Sequence, residues 1–265
     1  MNATKKTILI TGSTDGIGKI TAEKLARDGH IVYLHGRNPD RLAQTVSDIK
    51  AASGTDTARG FTADFSDLES VRQVADQVSD AVPEIDVLIN NAGVYNSPES
   101  DNRQGLDIRM TVNYLAPYLL TQTLLPVLEK GRSPRIINLS SAAQSPVSLP
   151  VLAGTEKRSQ SDTYAQSKLA LTMWSFHLAE AVPEISVIAV NPGSLLNTKM
   201  AREAFGRHWS SADKGANILY DLAVSKDFQS ITGQYFDNDK GGFGPAHPDA
   251  YDRTRIKELI HATHH

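Results

Sequence analysis

A tyrosine and a lysine stand four residues apart in Tyr164-Ala165-Gln166-Ser167-Lys168. Positions i and i+4 share one face of a helix. A lysine ammonium beside a phenol favours the phenolate, so Lys168 is expected to lower the Tyr164 pKa from its ordinary value near ~10. A phenol poised nearer neutrality can give a proton to a carbonyl oxygen or take one from an alcohol. Only one of the eight tyrosines has a lysine at that spacing, yet an ordinary surface pair would read the same way. Ser140-Ser141 closes the apolar run 135–139, where a hydroxyl could hydrogen-bond a substrate oxygen. Asn113 lies in the apolar stretch 106–128, where an amide needs a polar partner. A bond to neighbouring backbone would satisfy it equally. No Gly-x-Ser-x-Gly elbow surrounds Ser141 and no His lies at the neighbouring strand ends, which disfavours a serine hydrolase.

A second constellation is Thr11-Gly12-Ser13-Thr14-Asp15-Gly16-Ile17-Gly18. Glycines let backbone approach a ligand closely, and a helix starting behind them offers free N–H groups to a pyrophosphate. The spacing is Gly-x-x-x-Gly-x-Gly. It is not a P-loop, because the glycine spacing is one too long and Ile20 stands at the Ser/Thr position. After the next strand, an acid would hold the 2′-hydroxyl of NAD, whereas an Arg accommodates the 2′-phosphate of NADP. Leu34-His35-Gly36-Arg37 has no acid, so Arg37 favours NADP(H) over NAD(H). Asp15 pulls the other way, being negative inside the loop.

These groups need strands to carry them and helices to hold them. Strands are expected at 7–11, 31–34, 58–62, 87–90, 135–139, 186–190 and 233–236. Helices are expected at 19–28 with Gly29 as its stop, after the Asn38 cap with Pro39, from the capping box 66–69, at 106–128 and at 163–181. Alternation of this kind makes an α/β doubly wound parallel sheet of about seven strands with helices on both faces. Ligands in such sheets bind beyond the carboxyl ends of the strands. No linker divides residues 1–265, so one domain is expected. Segments 144–162 and 194–213 are the longest irregular stretches, and both overhang that edge.

Composition narrows the function. With 40% apolar and 22% charged residues, the chain can bury a core. A net charge of −3 excludes the overall basic surface of a nucleic-acid binder. With no cysteine there are no disulfides, thiolate metal sites or thiol nucleophile, and nothing argues against a cytoplasmic location. No stretch is long enough for a membrane span. The His-rich tail His261-Ala262-Thr263-His264-His265 is expected to be a frayed or non-native terminus rather than a metal site, and no metal is expected.

Together the motifs Thr11-Gly12-x-x-x-Gly16-Ile17-Gly18, Asn90-Asn91-Ala92-Gly93, Asn113, Ser141, Tyr164-x-x-x-Lys168 and Asn191-Pro192-Gly193 stand in an order that resembles the short-chain dehydrogenase/reductase (SDR) family. The stretches Arg37-Asn38-Pro39 and Asn113-Tyr114-Leu115-Ala116-Pro117 are similar to its retinol-dehydrogenase-like branch. The resemblance implies a Rossmann-like sheet and NAD(P)-dependent alcohol/carbonyl chemistry. By that resemblance Tyr164 is the general acid/base, Ser141 polarises the carbonyl, Lys168 binds the nicotinamide ribose and lowers the Tyr pKa, and Asn113 holds a relay water. Asp64 would meet the adenine, Asn91, Ala92 and Gly93 the adenosine side, and Pro192 and Gly193 the nicotinamide side. The Thr that binds the carboxamide in the family is displaced here to Thr198. Between Ser141 and Tyr164 the chain is longer than the family pattern, which makes 144–162 a substrate-side loop or a passive insertion. The expected substrate is a small alcohol or carbonyl compound. Leu195, Leu196, Met200, Phe205 and Trp209 suggest that it is lipophilic, unless they pack on the core. The family often pairs through the helices holding Asn113 and Tyr164, which leaves a homo-oligomer open. The rival reading is a dinucleotide-sensing module of the same fold that has lost catalysis.

Overall fold

Short β-branched runs alternate with helical ones along this chain, and the strands and helices follow that alternation. The computed structural model describes residues 5–205 and 210–264. Among them, eight strands form one sheet: β1 (Thr7–Ile10), β2 (Ile31–Gly36), β3 (Ala58–Thr62), β4 (Val87–Asn90), β5 (Arg135–Leu139), β6 (Ser186–Asn191), β7 (Gln234–Asp237) and β8 (Gly242–Gly244). Their spatial order is β3-β2-β1-β4-β5-β6-β7-β8. The first seven are parallel and β8 runs antiparallel to β7. β8 escapes a pattern search because Gly-Phe-Gly is too short and too poor in β-formers.

Every residue of β1, β4, β5 and β6 is buried, as expected of strands covered on both faces. Successive side chains feed two cores. Ile8 and Ile10 join the core under α1 (Gly16–Arg27), α2 (Pro39–Ser53) and α9 (Ala212–Val224). Leu9 joins the core under α3 (Leu68–Ala81), α5 (Ala116–Leu128) and α7 (Gln160–Ala181). This is a Rossmann-like doubly wound α/β sheet with helices on both faces. Its winding reverses between β1 and β4, and the crevice beyond their carboxyl ends is the natural ligand site.

Several boundaries differ from the sequence reading for local reasons. α1 starts at Gly16, not residue 19, because Asp15 caps it by accepting from Gly16 N–H. Asp67, not Ser66, caps α3; Ser66 instead gives its N–H and hydroxyl to Asp64. Ser159 caps α7 and starts it three residues early. The stretch 106–128 is not one helix. It comprises α4 (Ile108–Met110), a π-helical turn at Thr111–Leu115, and α5. Pro117 lacks the N–H that the Asn113 carbonyl would accept in an α-helix, so the ladder widens there.

The stretch 144–162 is neither irregular throughout nor loose. It contains α6 (Leu149–Leu152), and its chain is tied down by Ser148 N–H to Gln166 Oε1 and by Lys157 to Asp101. Up to His264 the tail is helical rather than frayed, and His265 lies outside the described residues. Residues Arg253–His264 form α10, with Ile256 and Leu259 buried. Thr263 and His264 hydrogen-bond the Tyr114 and Tyr118 hydroxyls. Among the described residues no helix is long and apolar enough to cross a membrane.

Candidate active site

Two loops meet at the reversal of the sheet. Gly12 has φ 63°, and a Cβ there would lie 2.7 Å from Ala92 Cα. A Cβ at Gly18 would lie 2.4 Å from Asn91 Nδ2. That amide donates to the Thr11 and Gly12 carbonyls at 2.8 Å each. Thr11 Oγ1 in turn accepts from the Asn91 and Ala92 N–H groups at 3.0 Å each. Asn91 and Ala92 are therefore fasteners of the glycine loop. Ser13 points inward, donating to Ile10 O and accepting from His35 N–H. Thr14 covers Gly36 at the end of β2, and Ile17 packs towards Gly215 in α9. Bare backbone at the start of α1 remains to face a ligand. A cradle that only glycine can form, at a helix N-terminus, fits a dinucleotide pyrophosphate.

His35 is a brace that the sequence reading missed. Its Nδ1 accepts from Gly12 N–H at 3.1 Å, and its Nε2 donates to Ala63 O at 3.0 Å. The ring stacks on Phe65. This arrangement needs the neutral imidazole, and burial pushes its pKa down to about 4. The unfolded chain takes up a proton near pH 6.5, before the folded one does. Stability is therefore full above that pH and falls as pH drops towards 4, by about 3 kcal/mol in all. Denaturant unfolding of wild type and His35→Phe at pH 7 and 4.5 checks this: the variant is expected to lose less on acidification.

Arg37 is exposed at the end of β2 and has no ion-pair partner among the described residues. The charge expected to oppose it is already answered. Asp15 pairs with Arg41 Nη2 at 2.8 Å. Desolvation acts against its charge, but the Gly16 N–H and Arg41 together hold its carboxyl below the usual carboxylate range. Asp64 follows β3 and shapes the turn there through Ser66.

Across the crevice, α7 brings Tyr164 and Lys168 towards the ends of β4 and β5. Lys168 is 5% exposed, and its ammonium donates to Leu139 O at 2.7 Å. Burial brings its pKa down to about 8. The expected lowering of the Tyr164 pKa does not occur in this site. Lys168 Nζ lies 5.7 Å from the ring centre and gives one of its three protons to the Leu139 carbonyl. Desolvation of the phenol pushes it up and neighbouring Tyr95 adds to the rise, while the Ser141 hydroxyl pulls it partly back. The Tyr95 ring is tilted against Tyr164 with centres 4.9 Å apart. Ser141 Oγ accepts from Ala143 N–H at 3.1 Å, which leaves its own proton to donate.

Asn113 is buried in the π-turn. Its Oδ1 accepts from Val94 N–H at 2.8 Å, and its Nδ2 donates to Val94 O and Ser167 Oγ at 3.0 Å each. Both amide donors are used, so the Asn113 side chain has no N–H left for a further ligand. Gly93 closes this corner. A Cβ there would lie 3.3 Å from Asn113 Oδ1, 3.5 Å from Lys168 Nζ and 3.8 Å from Met200 Cε.

Pro192 and Gly193 follow β6. Asn191 and Asp239 hold this turn through Gly193 N–H and Ser194 N–H. Thr198 approaches Gly16, its Cγ2 3.6 Å from where a Cβ would stand, and its hydroxyl caps α8 (Lys199–Phe205) by accepting from Ala201 N–H. It therefore faces the glycine loop. Of the apolar residues in 194–213, Leu196 is buried against Gly193 and Gly215, whereas Met200 reaches the Lys168 corner. The Phe205 side chain and Trp209 lie outside the described residues.

Comparison with known proteins agrees with this geometry. The profile of the family described as short chain dehydrogenase matches residues 6–208. Human polyprenol dehydrogenase is 32% identical over 88% of this chain and 76% of its own. Human retinol dehydrogenase 13 is 30% identical over 96% of this chain and 82% of its own. A solved structure from Escherichia coli CFT073, complexed with NADPH, superposes with a TM-score of 0.74 at 28% identity, covering 90% of this chain and 99% of that one. The chain belongs to the short-chain dehydrogenase family. Within it, the chain groups with the retinol-dehydrogenase-like branch and is an NAD(P)-dependent oxidoreductase acting on a small molecule.

Proposed function

We propose that the chain is an NADP(H)-preferring oxidoreductase for a lipophilic alcohol or carbonyl compound, with Tyr164 as general acid/base. The observation that carries the reading is the meeting of Tyr164, Ser141, Lys168 and Asn113 at one corner of the crevice, beside the glycine cradle. When bound, the nicotinamide supplies or accepts the hydride at C4. The chain's own residues bind, orient and move the proton. Ser141 donates a hydrogen bond from its hydroxyl to the substrate oxygen and keeps its proton. Tyr164, protonated at neutral pH, hands its proton to that oxygen as a carbonyl is reduced, or takes one in the reverse direction. Lys168 holds the ribose hydroxyls beside the phenol, and a water held at Asn113 resupplies the proton. Gly12, Gly16 and Gly18 admit the pyrophosphate, Asp64 the adenine, and Pro192, Gly193 and Thr198 border the nicotinamide end.

Support for NADP(H) comes from Arg37, free to pair a phosphate, and from the neutralised Asp15. The NADPH-complexed structural relative agrees. The polyprenol and retinol dehydrogenases among the relatives, with Met200 and Tyr95 at the catalytic corner, favour a lipophilic substrate. The deciding experiment is a fluorescence titration with NADPH and NADH at one low salt concentration. NADPH is expected to bind at least ~10-fold tighter, and Arg37→Ala to weaken NADPH by about 10–100-fold with NADH unchanged. Equal affinity for both nucleotides would overturn the preference, and binding of neither would overturn the oxidoreductase reading.

A further inference from the structure

Ser141 meets substrate through its hydroxyl, but the fold grips it by its carbonyl. The Ser141 carbonyl oxygen accepts from the Tyr235 phenol at 2.9 Å and from Gln144 Nε2 at 2.9 Å. The orientation of the Gln144 amide is fixed from behind. Its Oε1 accepts from His247 N–H at 3.1 Å. A backbone N–H can only donate, so the end of the amide facing Ser141 must be the NH₂. Two donors on one carbonyl set the plane of the peptide between Ser141 and Ala142, and with it the direction in which the Ser141 side chain leaves the backbone. The Ala143 N–H then takes one lone pair of the hydroxyl, which turns the O–H proton away from the loop.

The grip comes from a distant part of the chain. Tyr235 lies on β7 and is 4% exposed. His247 lies just before a short 3₁₀ turn at Pro248–Tyr251. Both stand outside residues 6–208, the part that matches the family profile. Burial, with Asp237 nearby, pushes the Tyr235 phenol up, so it keeps its proton and remains a donor.

We propose that Tyr235 and Gln144 are positioning residues that aim the Ser141 hydroxyl by clamping its carbonyl. This rests on Ser141 being the group that meets the substrate oxygen. Tyr235→Phe keeps the ring and removes one donor, and is expected to lower kcat about 5–10-fold. Gln144→Met removes the other donor independently, with a similar loss. KM for the carbonyl substrate and the Kd of NADPH are expected to stay within about twofold. The decisive readout is a double-mutant cycle with Ser141→Ala, whose own residual rate is measurable above background. If Tyr235 acts through Ser141, adding Tyr235→Phe to Ser141→Ala costs almost nothing further. Multiplicative losses, or wild-type kcat in both Tyr235→Phe and Gln144→Met, would overturn the clamp while Ser141 keeps its role. Wild-type kcat in Ser141→Ala would instead overturn the role of Ser141, and the clamp with it.

Discussion

Tyr164→Phe is expected to lower kcat by about 10²–10⁴-fold, the range over which a positioned proton donor acts. The substitution removes one oxygen and keeps the ring against Tyr95, so the wall of the crevice stays in place. None of the contacts that shape the glycine cradle involves the Tyr164 hydroxyl. Nucleotide affinity should therefore change by less than about threefold, and the loss should appear in kcat with KM little altered. Stopped-flow turnover with a reactive ketone, paired with a fluorescence titration of NADPH, separates the two quantities. Retention of more than a tenth of the wild-type kcat would mean that another group delivers the proton, and a water held by Asn113 would be the first place to look. The raised pKa of the phenol sharpens the expectation. At neutral pH Tyr164 carries its proton, so the reductive direction needs no prior protonation of the residue, whereas oxidation must first have the phenol ionise.

Much of this site was legible because its parts sit at strand ends, and strand ends are local events. Gly12, Asn91, Ser141 and Pro192 each follow a β-branched or apolar run at once, and the sheet edge gathers them whatever lies between. The pairing of Tyr164 with Lys168 needed only helical spacing. Contacts between distant residues were not legible. Nothing local tells that His35 accepts from Gly12, that Arg41 neutralises Asp15, or that Tyr235 reaches Ser141 from 94 residues away. Helix periodicity also overrode a signal that was present. Pro117 stands four residues after Asn113 and forbids an unbroken α-helix there, but the apolar content of 106–128 hid the break. The Lys168 expectation failed first because burial of the phenol, which helical spacing does not reveal, pushes the Tyr164 pKa up. Helical spacing places two side chains on one face but does not decide where a long flexible ammonium sends its protons, and here the Leu139 carbonyl takes one.

Lys168→Met is the substitution in which stability and activity should part most clearly. It is expected to cost activity at least ~10²-fold, since methionine cannot hold the ribose hydroxyls that place the nicotinamide beside the phenol. Yet at pH 7 it should stabilise the nucleotide-free protein, by about 1–2 kcal/mol. Lys168 is almost wholly buried and pairs with no carboxylate among the described residues. Burial brings its pKa from 10.5 to about 8. A shift of that size corresponds to about 3 kcal/mol of penalty for keeping the charged form inside the fold. Leaving the Leu139 carbonyl without this donor offsets about 1–2 kcal/mol of the gain. The sign follows from the direction of the shift. Below pH 8 the lysine is charged in both folded and unfolded chains, and the penalty is complete. As pH rises from 8 towards 10.5, the folded lysine gives up its proton first and the penalty fades. The stability difference between Lys168→Met and wild type should therefore be largest at pH 7 and shrink by pH 10, as urea midpoints at the two values would show. A variant less stable than wild type at pH 7 would mean that the bond to Leu139 outweighs the buried charge. The opposite result identifies Lys168 as a residue kept for chemistry against the interest of the fold.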